Sequence, residues 1–209
     1  MGRGKEPKAN KESLTLHIYN DLLNKFLSNE MAPGTIIDRK ALAEEYQVSI
    51  APVRDALQRL TLEGFVETKS RSATVVRGVT QEDIYGTMAL REAIESQVAR
   101  MVCGEIVRKN MDLLLEAAKN VDECHDIMDY WKADVNFHQK FVELCDCRLM
   151  INSYSQVMNI RNFYQINSFF MNHDPEKRES HISLIASLSN DDPDFAEAAI
   201  RKHLRSGKN

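Results

Sequence analysis

The sequence predicts a mainly α-helical chain in two parts, three short helices with a small β-hairpin followed by an all-α helical bundle. Three observations carry this reading. Apolar residues recur at helical spacing over most of the 209 residues. β-like runs are concentrated before Gly78, chiefly in residues 65–76, and Pro33-Gly34, Gly64 and Asn190-Asp191-Asp192-Pro193 mark breaks between periodic segments. A hydrophobic content of 43% with 28% charged residues belongs to an ordinary globular chain with a proper core.

Taken in order, residues 1–12 hold four basic residues and almost nothing apolar, and read as a flexible tail. A first helix is expected from Ser13, a candidate N-cap, with Ile18, Leu22 and Phe26 beside Tyr19 and Leu23, ending near Asn29. A short strand-like Thr35-Ile36-Ile37 leads to Asp38, the N-cap of a short helix through Tyr46. After Gln47-Val48-Ser49 comes a third helix, about 50–63, whose apolar face is Val53, Ala56, Leu57 and Leu60, with Gly64 at its C-cap. Residues 65–68 and 74–76 flank the polar tip Lys69-Ser70-Arg71-Ser72 as a hairpin. Beyond it the expected helices are 81–102, carrying Ile84, Met88, Ile94 and Val98, then 105–121, 125–145, 148–171, 175–189 and 193–206. The organisation is therefore a tail (1–12), a small domain (13–78) and a bundle of about six helices (79–209).

Composition narrows the function classes. No run reaches the ~18 apolar residues of a membrane helix, and the basic start MGRGKEPKAN is not followed by a signal-peptide stretch. Cys103, Cys124, Cys145 and Cys147 lie in helical-looking segments and read as reduced, buried thiols, so a cytoplasmic location is expected. The net charge of −4 divides into +2 over residues 1–78 and −6 over the rest. That asymmetry permits nucleic-acid contact in the first part and disfavours it in the second.

Two short helices across a tight break, then a hairpin, form the winged helix-turn-helix pattern, in which the second helix enters the major groove of DNA. Its start here, Ser49-Ile50-Ala51, precedes Arg54, whose planar donor fork suits a base edge. Arg39 and Lys40 open the preceding helix. Arg59 suits the surface or a phosphate, and Lys69 and Arg71 at the hairpin tip suit phosphate or minor-groove contact. The stretch Val48-Ser49-x-x-Pro52-Val53-Arg54-Asp55-Ala56-Leu57-x-x-Leu60-x-x-Glu63-Gly64-Phe65-Val66, with Leu42-Ala43-Glu44 upstream, resembles the signature of the GntR family of bacterial transcription regulators. Ile50 stands where that family usually has an arginine, and Ser72 where it usually has glycine. The resemblance implies a homodimer reading a palindromic double-stranded operator.

In the second part, Asp134 and His138 are four apart and share a helix face. His181 and His203 each lie 11 residues from Asp192, so an antiparallel helix pair would bring them level. One carboxylate and three imidazoles could then hold Zn²⁺, Ni²⁺, Mn²⁺ or Fe²⁺; from spacing alone, a satisfied core histidine is the commoner fate. His17, His125 and His173 lack such partners and read as surface residues. The pattern Asp134-x3-His138, then His181, then His203-Leu204, with Arg91-x3-Glu95 at the front, resembles the FCD domain that follows many GntR DNA-binding domains. Cys147 stands where that domain often has asparagine. The resemblance implies a metal site and a small organic or sugar acid effector. An octahedral shell would leave up to two positions for the effector's oxygens. Arg91 and Arg161 are the candidate partners of its charge, the alternative for each being a structural ion pair. An enzyme is not expected. A sensor of the ion itself, or a metal-dependent hydrolase, are the rival readings.

Overall fold

The computed structural model describes residues 11–69, 73–167 and 179–206. They form two compact units that change over at Thr80, with the end of α8, from Asn162, belonging to the first.

The first unit contains α1 (Lys11–Leu27), β1 (Ile36–Ile37), α2 (Arg39–Glu45), α3 (Ile50–Leu62), β2 (Val66–Lys69) and β3 (Ala73–Val76). The apolar stripe of α1 (Ile18, Leu22, Phe26) and that of α3 (Val53, Ala56, Leu60) are fully buried, which is why a polar stretch of chain folds here at all. Phe65 closes this core, stacked on Phe26 at 6.3 Å and edge-on to Phe163 at 5.6 Å. The three strands form an antiparallel sheet in the order β1-β3-β2, with Val66 opposite Val76 and Ile36 opposite Val75.

Local chemistry sets the helix ends. The Asp38 carboxylate accepts the backbone N–H of Lys40 at 2.7 Å and of Ala41 at 3.2 Å, capping α2. Gln47, at φ +54°, turns the chain into α3. Gly64, at φ +85°, ends α3, and the next N–H returns to the carbonyl of Leu60. Ser13 is not an N-cap: it lies within α1, which already runs from Lys11. The predicted hairpin tip at residues 70–72, Arg71 and Ser72 included, falls outside the described residues.

The second unit contains α4 (Gln81–Val102), α5 (Glu105–Lys109), α6 (Met111–Asp122), α7 (Ile127–Glu143), α8 (Arg148–Asn167), α9 (His181–Leu188) and α10 (Pro193–Arg205). Its core gathers Val98, Leu114, Phe137, Phe141, Tyr154, Leu188 and Ile200, all fully buried. There are seven described helices rather than about six, because the segment expected at 105–121 breaks at Asn110, whose φ of −106° leaves the helical region. α9 begins at His181, where Ser180 caps it and accepts the N–H of Ser183; the expected helix start at 175 and the expected end of the preceding helix at 171 fall outside the described residues. The inward face of α4 also differs from expectation. Ile84, Met88 and Ile94 are only half-buried, and Thr87, Arg91 and Glu95 take the inside positions. The four cysteines are free thiols and half-buried rather than buried. Among the described residues, no helix is long and apolar enough to cross a membrane.

Candidate DNA-reading surface and metal centre

In the first unit, Ser49 occupies the N-cap position of α3, yet its hydroxyl makes no capping hydrogen bond. Ser49 and Ile50 are exposed at the helix start, and Ala51 is half-buried. Arg54 keeps 62% of its side-chain exposure and rests against Asp55 at 3.1 Å. Arg39 lies beside it: both line one shallow cavity of about 220 Å³ with Thr74 and Gln58. Arg39 is not loose, since its Nη2 donates to Thr74 Oγ1 at 2.6 Å, which ties the start of α2 to β3. Lys40 is exposed at the same helix start, and Lys69 is exposed at the end of β2 beside Glu67. Arg59 does not join this surface. Five residues beyond Arg54 it points about 140° round the helix, its guanidinium stacks on the Tyr19 ring at 4.3 Å, and it pairs with Glu63. Tyr19 in turn donates to Glu63 at 2.5 Å.

In the second unit, Asp134 and His138 from α7, His181 from the first position of α9 and His203 from α10 converge. Their ligand atoms all lie within 4.8 Å of one another. Asp134 Oδ1 is 3.3 Å from His181 Nε2 and 3.6 Å from His138 Nε2. The three histidines are buried. Two of them are held from behind by carboxylates, which accept and so place the proton on Nδ1. His138 Nδ1 donates to Glu95 Oε2 at 2.6 Å, and His181 Nδ1 donates to Asp122 Oδ1 at 2.9 Å. Each Nε2 lone pair is thereby turned toward Asp134.

The electrostatics suit a cation. Burial opposes ionisation of Asp134, but the Arg91 guanidinium and His138 beside it hold its carboxyl well below the usual range. Burial likewise opposes ionisation of Glu95, yet His138 and Arg91 bring it down to about 2. Burial, with His138 and His181 as neighbours, pushes His203 well below the ordinary imidazole value, into the neutral form that binds metals. His138 Nε2 and His203 Nδ1 are buried without a hydrogen-bond partner. Orphaned buried nitrogens of this kind are costly and call for an acceptor of their lone pairs or protons. One carboxylate and three imidazoles therefore fit a divalent metal ion.

The family model described as bacterial regulatory proteins, gntR family, matches residues 14–76, and the FCD domain model matches residues 87–206. The chain belongs to the GntR family and carries an FCD domain. Among its relatives is the HTH-type transcriptional repressor RspR of Escherichia coli (strain K12), 25% identical over 192 residues, covering 90% of this chain and 84% of RspR. Two solved structures share the fold. A putative GntR transcriptional regulator from Rhodococcus sp. RHA1 has a TM-score of 0.67 at 18% identity, covering 92% of this chain and 94% of that one. E. coli McbR/YncC has a TM-score of 0.63 at 21% identity with the same coverage. This GntR-family chain is accordingly a DNA-binding transcriptional regulator with a mostly helical fold.

In this regulator the two candidate effector arginines have different surroundings. Arg91 is buried in an ion pair with Glu95 at 2.7 Å and with Asp134 at 3.2 Å, so the structural reading holds for two of its nitrogens. Its Nη2 is buried without a partner. Arg161, also buried, forms no ion pair among the described residues, and its Nε lacks an acceptor. Burial, and then the charge of Arg91, bring its pKa down to about 10. Ser96 Oγ is a further buried orphan, one residue from Glu95.

Sequence reasoning missed three participants. Glu95 was visible only as part of a motif, although Thr87, Arg91 and Glu95 at i, i+4 and i+8 replace the apolar residues a core-facing stripe normally carries. Tyr154, which donates to Glu95 Oε1 at 2.9 Å, looked like any core aromatic. Asp122 sits 59 residues from His181 and carries no local signal. His125 and His17 are exposed as expected, and His173 falls outside the described residues.

Proposed function

We propose that this regulator binds operator DNA as a homodimer and represses until a small carboxylate metabolite enters the FCD domain beside a divalent metal ion.

 Repression rather than activation is the direction that the name of the relative RspR supports. The observation that carries the metal reading is the convergence of Asp134, His138, His181 and His203, with His138 Nε2 and His203 Nδ1 buried there without a hydrogen-bond partner. A bound divalent ion would supply open coordination positions for the oxygens of a carboxylate. The protein's own groups account for the rest. Glu95 and Asp122 orient the imidazoles, Arg91 neutralises Asp134, and buried Arg161, which forms no ion pair among the described residues, offers the remaining positive charge to the far end of an anion. Arg39, Lys40, Ser49, Ile50, Ala51, Arg54 and Lys69 form the proposed DNA surface, while Arg59 acts by holding α1 against α3 through Tyr19 and Glu63.

The test is operator binding by metal-loaded protein, titrated with a panel of small organic and sugar acids. At least one acid should weaken binding tenfold or more, and the response should vanish in His138→Ala. If chelation alone changes operator affinity and no acid does, the protein senses the ion itself and the carboxylate reading fails. Turnover of an ester or phosphate by the metal-loaded protein would favour the hydrolase instead.

A further inference from the structure

Asp122, the last residue of α6, performs two tasks at once. Its Oδ1 accepts His181 Nδ1–H at 2.9 Å and the backbone N–H of His181 at 3.0 Å. Its Oδ2 accepts the Ser180 hydroxyl at 2.6 Å and the backbone N–H of Ile182 at 3.3 Å. Those two backbone groups are the first N–H groups of α9, which no carbonyl of the helix can reach. One carboxylate therefore fixes the ring of a candidate metal ligand and satisfies the start of the helix carrying it. His181 Nδ1 is held by Asp122, while its Nε2 lies 3.3 Å from Asp134 Oδ1 inside the cluster. A cavity of about 320 Å³, walled in part by Asp122, Ser180 and Tyr130, opens on the Asp122 side. The contact is thus at the rim of the site and is not part of the apolar core.

We infer that Asp122 is a positioning residue that couples metal binding by His181 to the formation of the first turn of α9. This rests on the metal reading above. The negative charge behind His181 makes its Nε2 a better donor, and carboxylates in this position commonly contribute ten- to a hundredfold in metal affinity. Because the same oxygens hold α9, coupling is reciprocal: whatever tightens the His181 ring also tightens the helix start.

The test uses the full chain and Zn²⁺ as probe, with affinity read by competition against a chromophoric chelator. Asp122→Asn keeps one acceptor oxygen but loses the other and the charge. Its thermal midpoint without metal should fall by no more than about 4 °C, while Zn²⁺ affinity falls ten- to a hundredfold, more than the loss of stability accounts for. Nitrogen NMR should show His181 as the Nδ1–H tautomer in the parent and a mixture in the variant. Added Zn²⁺ should also slow hydrogen exchange at the Ser183 and Leu184 amides in the parent, and less in Asp122→Asn. Affinity within twofold of the parent would overturn the inference, as would a loss of apo stability that accounts for the whole loss of affinity. Absence of Zn²⁺ binding by the parent itself would instead sink the metal reading on which it rests.

Discussion

At the scale of single residues, the two arginines of α3 separate cleanly. Arg54 is exposed beside Arg39 near the start of the helix, where side chains of a recognition helix meet base edges. Arg59 is committed to Tyr19 and Glu63, and desolvation together with Glu63 raises the Tyr19 phenol far above its ordinary value. Arg54→Ala should therefore weaken specific operator binding by about 1–3 kcal/mol while leaving the unfolding midpoint unchanged. Arg59→Ala should do the reverse, lowering the midpoint with little change in affinity. Fluorescence anisotropy with a labelled operator and a thermal melt measure both quantities. Equal losses of affinity in the two variants would mean that Arg59 reaches the phosphates after all. Sequence assigned Arg59 a surface or phosphate role and no partner, because helical spacing shows which way a side chain leaves the helix but not which neighbours it meets.

At the scale of elements, most of what positions the sites was legible. The apolar stripes of α1 and α3, the Asp38 cap and Gly64 are local signals, and the structure follows them. What escaped was long-range. The start of α9 depends on Asp122, 59 residues from His181, and its end on Gly104. That glycine adopts φ +72°, its N–H donates to the Leu188 carbonyl at 2.9 Å, and a Cβ there would lie 2.0 Å from the Asp191 carboxylate. Arg108 fastens the same corner through Asp191 and the Ser189 carbonyl. Gly104 thus seats α5 against the α9–α10 turn, which sets His181 and His203 level. Gly104→Ala meets both left-handed strain and a steric clash, so about 2 kcal/mol or more should be lost. In a chain of this length that corresponds to a drop of about 4–8 °C in melting temperature. Calorimetry showing a fall of under 1 °C would mean the corner opens without cost.

At the scale of the molecule, one recognition helix is too small a reader for a specific site. A single DNA-binding module buries about 600–1,000 Å², and two-fold pairing on a palindrome is the usual remedy. The candidate pairing surface lies on α4. Leu90 and Met101 keep 53% and 44% of their exposure, and with half-buried Ile94 they recur at spacings of four and seven, down one face. These positions flank the inward Thr87, Arg91 and Glu95 round the helix, and Leu90 and Met101 stay exposed while the polar positions serve the metal cluster. A stripe of this kind on an otherwise charged helix is better covered than exposed. The double variant Leu90→Glu, Met101→Glu should convert a dimer into a monomer in sedimentation velocity at micromolar concentration. Its affinity for a two-half-site operator should fall at least tenfold, whereas its affinity for Zn²⁺ should not change, because neither residue touches the cluster. A variant that still sediments as a dimer would move the interface to another face of the bundle, and a parent that sediments as a monomer would remove the pairing argument altogether.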